Sequence, residues 1–162
     1  MGFPNVGKST FINSFAGKAA AKTGNKPGVT KGNQWIRLNK QVELLDTPGI
    51  LWPKFEDQEV GLKLAFLGSI NEDILNKEEL AGELVTFISK LHPGLLSEHY
   101  KIEEEGKKQY EVLEAIAESR ACLTKGGGFD LARASKLLLD DFRSGRLGRI
   151  TLEMPQTTVT GE

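Results

Sequence analysis

Cysteine is almost absent: Cys122 is the single one in 162 residues. That excludes an internal disulfide framework and a cysteine-based zinc site, and leaves Cys122 to be read as a small, half-buried packing residue. Long apolar runs are missing too, so no segment is expected to span a bilayer and no membrane partner is expected. With no signal segment ahead of the first motif, the expected compartment is the cytoplasm. Neither sign of charge dominates. The 21 Lys and Arg against 22 Asp and Glu give a net charge of −1, so nothing pulls the whole chain toward nucleic acid. DNA is not an expected partner, and an RNA site would have to be a local patch.

What is present begins at once. Gly2-Phe3-Pro4-Asn5-Val6-Gly7-Lys8-Ser9 fits the phosphate-binding pattern of Gly, four residues, then Gly-Lys-Ser. Gly2 and Gly7 permit the tight backbone turn that points successive N–H groups at phosphate oxygens. Lys8 adds a positive charge at the outer phosphates, and the Ser9 hydroxyl can ligate Mg²⁺. A helix over 8–16 would aim the positive end of its dipole at the same place. Such a loop normally follows a buried apolar strand, yet only Met1 precedes it here. The expectation is therefore of a chain that begins inside a longer protein.

Residues 8–16 carry Phe11, Ile12 and Phe15 on one helical face. Residues 17–34 form a long polar stretch rich in glycine, the kind of loop that is usually functional. Residues 35–38 and 42–45 read as two strands around an Asn39-Lys40 turn. The second strand delivers Asp46, in Asp46-Thr47-Pro48-Gly49. An Asp in that position can hold Mg²⁺, usually through water, and the Gly49 N–H can approach a γ-phosphate with no side chain in the way. Alone the tetrapeptide is also a good turn; paired with the first motif at this spacing it points to nucleotide chemistry. Thr30, in Pro27-Gly28-Val29-Thr30, is preferred over Thr23 and Thr47 as a switch hydroxyl that completes the Mg²⁺ shell. The expected nucleotide contacts are Gly2, Asn5, Val6, Gly7, Lys8, Ser9, Thr10, Thr30 and Gly49, with Ser9, Thr30 and Asp46 around the metal.

A helix over 57–70 follows, and then the chain changes character. Amphipathic helices are expected over 77–91 (Leu80, Leu84, Phe87, Ile88 and Leu91 apolar), 107–121 (Tyr110, Leu113, Ile116 and Ala117 inward) and 129–144 (Ala132, Leu138 and Phe142). Residues 147–152 read as a short extended piece and 153–162 as a frayed polar tail. The fold class is thus α/β: a P-loop NTPase part over 1–75, a small all-helical domain over 76–152, and the tail. Residues 98–118 are rich in glutamate, whereas 119–150 are locally basic. A solvated helix face accounts for such a block; contact with RNA phosphates, through Arg143, Arg146 and Arg149, is the functional reading.

Together, Gly2 to Ser9, Pro27 to Thr30 and Asp46-Thr47-Pro48-Gly49-Ile50-Leu51-Trp52-Pro53-Lys54 resemble one family, the circularly permuted bacterial ribosome biogenesis GTPase A, over nearly the whole chain. The resemblance implies a Mg²⁺-dependent GTPase acting in assembly of the large (50S) ribosomal subunit, with that subunit and its RNA as partners and the helical domain engaging the RNA. In a permuted GTPase the Asn-Lys-x-Asp guanine-reading motif precedes the phosphate loop. Downstream, Asn76-Lys77-Glu78-Glu79 lacks the Asp and reads as a helix start. Ile50 stands where many GTPases carry a water-orienting Gln. The resemblance therefore implies that the catalytic group comes from outside this stretch, and no catalytic residue is identified within it. It also likens Asn5 to the asparagine that holds potassium in cation-activated GTPases. Two rivals remain at this point: an ATPase, since nothing here reads the base, and an RNA-binding adaptor with a relic nucleotide site.

Overall fold

A computed structural model describes residues 2–51, 57–71 and 75–153. Trp52, Pro53 and Lys54 of the family-like run, and residues 154–162 of the expected tail, lie outside the described residues. The chain divides into two compact units, residues 1–80 and 81–162.

The first unit runs α1 (Lys8–Ala16), β1 (Gln34–Arg37), β2 (Glu43–Asp46) and α2 (Gln58–Phe66). The strands are antiparallel, pairing Gln34 with Asp46 and Ile36 with Leu44. Asn39 makes the turn, its Oδ1 accepting the N–H groups of Gln41 at 2.8 Å and Val42 at 2.9 Å, as asparagine commonly does. Successive strand residues face opposite sides. Ile36 and Asp46 are therefore buried on one face, while Trp35 and Leu45 stand exposed on the other. Residues of α1 contact β2. Phe11 and Phe15 do share a face, stacked with ring centroids 6.1 Å apart, but no residue of α1 is buried and both rings are exposed. Helix α2 is shorter than the 57–70 expected, starts on an Asp57 side chain that accepts the Glu59 N–H, and buries Leu64, Ala65 and Phe66.

The second unit is helical. Helix α3 (Lys77–Leu91), whose first turn still belongs to residues 1–80, begins where Asn76 Oδ1 accepts the N–H groups of Glu78 and Glu79, so the Asn76-Lys77-Glu78-Glu79 stretch is indeed a helix start. It is followed by α4 (Leu95–Tyr100), α5 (Gln109–Ser119) and α6 (Leu131–Arg143). The core is built at helical spacing: Leu84 and Ile88 of α3, Leu96 of α4, Ile116 of α5 and Leu138 of α6 are fully buried. Each such side chain stabilises the fold by roughly 1.5–3 kcal/mol. Helices α5 and α6 pack together. Four expectations need correction. Helix α4 falls in a stretch where no element was expected; at six residues it is too short to show a period. Tyr110 is exposed rather than inward, although Val112 and Leu113 close to it in α5 are buried. Residues 147–152 form no strand, having no partner to pair with among the described residues. Cys122 is fully rather than half buried.

One polar cluster lies within this core. Tyr100 Oη donates to Asp141 Oδ2 at 2.9 Å, and Arg146 Nε donates to Asp141 Oδ1. His99 Nε2 lies 3.7 Å from Asp141 Oδ2, and the Arg120 guanidinium sits 5.1 Å from the centre of the Tyr100 ring. Burial, and then the hydrogen bond to Asp141, push the Tyr100 phenol well above its ordinary range. The neutral phenol is thus the form that folding favours. Its contribution to stability is complete below the unfolded value of about 10 and is lost as pH rises beyond it. Tyr100→Phe is expected to cost about 2 kcal/mol at neutral pH, since a buried carboxylate loses a donor. The gap between parent and variant should close above pH 10. Urea unfolding across that range measures it, and a gap independent of pH would contradict this role for the hydroxyl.

Candidate functional site

The phosphate loop turns as its glycines allow. Gly7 adopts a left-handed conformation with φ 86° and stands at the N-cap of α1 without a side-chain cap. The first-turn N–H groups of α1 are thus left for a ligand. Asn5 is also left-handed, with φ 55°, a conformation asparagine tolerates better than most residues. Its amide nitrogen donates to the carbonyls of Asn25 at 3.4 Å and Gly68 at 3.3 Å, tying the loop to two other segments. Lys8 folds back over its own loop, with Nζ donating to the Phe3 carbonyl at 2.6 Å and the Gly2 carbonyl at 3.5 Å.

The second motif lies directly against the first. The Ile50 N–H donates to the Gly2 carbonyl at 3.2 Å. A Cβ on Gly49 would stand 2.3 Å from Pro4 Cα, so only glycine fits. Asp46, at the end of β2, accepts from Ser9 Oγ at 2.8 Å through its Oδ2. Thr30 Oγ1 lies 3.1 Å from Ser9 Oγ and 3.4 Å from Asp46 Oδ2. Residues 9, 30 and 46, far apart in the chain, therefore meet at one corner. Asp46 Oδ1 is buried and has no hydrogen-bond partner among the described residues. A buried carboxylate oxygen without a partner is costly, and a cation would relieve that cost. Mg²⁺ takes oxygen ligands, which is what two hydroxyls and a carboxylate provide, so the residues present fit that ion.

A cleft of about 350 Å³ opens beside this corner. Asn5, Val6, Gly7, Lys8, Ser9, Thr10, Thr30 and Gly49 all line it. Gly2 contributes from behind, through its carbonyl. Thr30 rather than Thr47 reaches Ser9 and Asp46, while Thr23 lines the cleft. Lys22 and Lys26 also line it and were not anticipated; in the sequence they are two lysines of a polar loop, with nothing to separate them from solvated ones. In the second unit, Arg146 is engaged with buried Asp141.

These parts define a P-loop protein with a corner of oxygen donors beside the loop. A model of the 50S ribosome-binding GTPase family matches residues 1–118, and the chain belongs to that family. It is 49% identical over 156 residues to ribosome biogenesis GTPase A of Bacillus cereus, covering 96% of this chain and 53% of the relative. To ribosome biogenesis GTPase A of Thermotoga maritima it is 33% identical over 156 residues, covering 96% of this chain and 55% of the relative. The crystal structure of GNP-bound YlqF from T. maritima superimposes with a TM-score of 0.63 at 30% identity, covering 95% of this chain and 57% of that one. The chain thus spans about half the length of the relatives it matches.

Proposed function

We propose that this chain carries the phosphate- and metal-binding part of a GTPase that acts in assembly of the large ribosomal subunit, with the guanine-reading and catalytic groups contributed from outside it, as permutation would require. The observation that carries the reading is the meeting of Ser9, Thr30 and Asp46 beside the phosphate loop, with one Asp46 oxygen buried and unpartnered among the described residues. A relic site would have no reason to retain that arrangement. Ser9, Thr30 and Asp46 would hold Mg²⁺, which when bound supplies charge stabilisation on the outer phosphates. Lys8 and the loop N–H groups bind phosphate, and Gly49 offers its N–H toward the terminal one. The Asn5 amide nitrogen is used within the chain, which leaves its Oδ1 as the end that could take potassium. Ile50, 55% exposed, has no polar atom with which to orient water.

The helical unit is read as the RNA-contacting part, with Arg143 and Arg149 as phosphate contacts and Arg146 serving mainly to hold Asp141. Phosphate contacts release counterions, so binding to large subunits should weaken steeply with salt. Co-sedimentation with purified large subunits at several salt concentrations, with GDP or with a non-hydrolysable GTP analogue, tests the proposal. The triphosphate form is expected to bind more tightly. Replacing Arg143 and Arg149 together with Ala should lower the log–log salt slope by about two units. Equal binding in both nucleotide states would favour the adaptor with a relic site. An unchanged salt slope would make the basic block a solvated face.

A further inference from the structure

The long loop ahead of Thr30 is not free at its root. Asn13, on the helix that springs from the phosphate loop, grips it with three side-chain hydrogen bonds. Its Oδ1 accepts the N–H groups of Ala20 at 3.0 Å and Ala21 at 2.7 Å, and its Nδ2 donates to the Ala21 carbonyl at 2.8 Å. Ala21 is buried, at 6% exposure. Gln34 at the start of β1 adds a donor to the Ala20 carbonyl, at 3.3 Å. The next residue is Lys22. Its backbone origin is therefore fixed to the same helix whose first turn faces the phosphates.

Lys22 lines both the 350 Å³ cleft and an adjoining cavity of about 390 Å³ whose wall includes Thr30 and Asp46. Among the described residues it has no carboxylate within ion-pair distance. Lys8, by contrast, is held against the carbonyls of its own loop. Three lysines thus line the cleft, Lys8, Lys22 and Lys26, and of these Lys22 alone also lines the cavity that holds Thr30 and Asp46. A terminal phosphate adds negative charge that a diphosphate lacks, and an ammonium on a flexible stem is suited to meet it.

We propose that Lys22 is a second phosphate-binding cation of this site, selective for the terminal phosphate of a nucleoside triphosphate, and that Asn13 is the positioning residue that holds it there. The proposal rests on the reading of the cleft as a nucleotide site. It gives the long loop a direct electrostatic part in telling triphosphate from diphosphate, in addition to the Thr30 hydroxyl.

Isothermal titration of this chain with GDP and with a non-hydrolysable GTP analogue, both with Mg²⁺, tests it. Lys22→Ala is expected to weaken the analogue about tenfold and GDP less than about twofold. Lys22→Arg, which keeps the charge, should come back to within about threefold of the parent. Asn13→Ala should reduce the triphosphate preference only while Lys22 is present; in the Lys22→Ala background it should change the ratio no further. A purely structural role for Asn13 would instead weaken both ligands alike in either background. Lys22→Ala leaving both affinities unchanged, or lowering both equally, overturns the proposal. If the parent binds neither ligand, the nucleotide reading of the cleft fails, and this proposal fails with it. If the parent binds and Lys8→Ala abolishes binding while Lys22→Ala does nothing, only the proposal for Lys22 fails.

Discussion

Replacing Lys8 with alanine is expected to lower affinity for a magnesium-bound nucleoside triphosphate at least about 100-fold. Truncating one partner of a desolvated charge pair typically costs 2–5 kcal/mol, and each 1.4 kcal/mol is a factor of ten. Lys8 is half-buried in the wall of a cleft formed by its own loop and residues 22–30, so water cannot fully replace it. Its ammonium is parked on the Phe3 and Gly2 carbonyls. Phosphate would therefore draw it off two weak neutral acceptors and onto a strong anionic one. Ser9→Ala should differ in kind: it should weaken binding with Mg²⁺ present and change little in its absence, because its hydroxyl bonds Asp46 rather than the loop. Titration with and without Mg²⁺ separates the two. Parent-like affinity in Lys8→Ala would remove the phosphate loop from the account altogether.

Gly49→Ala is expected to be nearly as damaging for a different reason. The added Cβ would lie 2.3 Å from Pro4 Cα and 2.5 Å from Pro4 N. These are backbone atoms of a buried proline, with φ fixed by its ring, so no side chain can swing aside. The two motifs must separate, breaking the Ile50 N–H bond to the Gly2 carbonyl or moving Asp46 away from Ser9. Overpacking of this kind costs about 1–3 kcal/mol. Nucleotide affinity should fall about 30-fold or more, since misplaced donors lose their hydrogen bonds to phosphate. The measurement is titration beside thermal unfolding. Binding equal to the parent would show that the loop and the Asp46-Thr47-Pro48-Gly49 turn do not have to stay in register with each other.

The positions of Lys8, Ser9 and Asp46 were legible in the sequence because local rules fix them. Phosphate geometry demands glycines at set spacing, and an apolar strand ahead of Asp46 announces its end. Helix α3 was legible to the residue, since fifteen residues allow four turns of apolar repeat and Asn76 marks the start. Other features depend on contacts that no local pattern records. The grip of Asn13 on Ala20 and Ala21 spans a loop, and a sequence shows only an asparagine in a helix. Arg146 looked like its basic neighbours until buried Asp141 was found beside it. Phe11 and Phe15 show the opposite case. Their spacing correctly places them on one face, but periodicity does not say what covers that face, and in the first unit nothing described does.

The β1–β2 ladder has a consequence for the fraction of chains that become competent. It pairs only four residues with four, and Asp46 faces Ser9 and Thr30 because it is paired with Gln34. In a strand, a slip of one residue turns every side chain over. Such a slip would present Leu45 to Ser9 and Thr30 and send the Asp46 carboxylate to the outer surface. Little on the outer face resists it, where Trp35 and Leu45 are exposed in any case. The register is set at the far end, where Asn39 Oδ1 captures the Gln41 and Val42 N–H groups. A turn residue remote from the phosphates thus acts as a proofreader of assembly. Damage to it would leave each correctly paired molecule binding at full strength and reduce how many such molecules there are, so that it would appear in a titration as missing sites, with the dissociation constant unmoved.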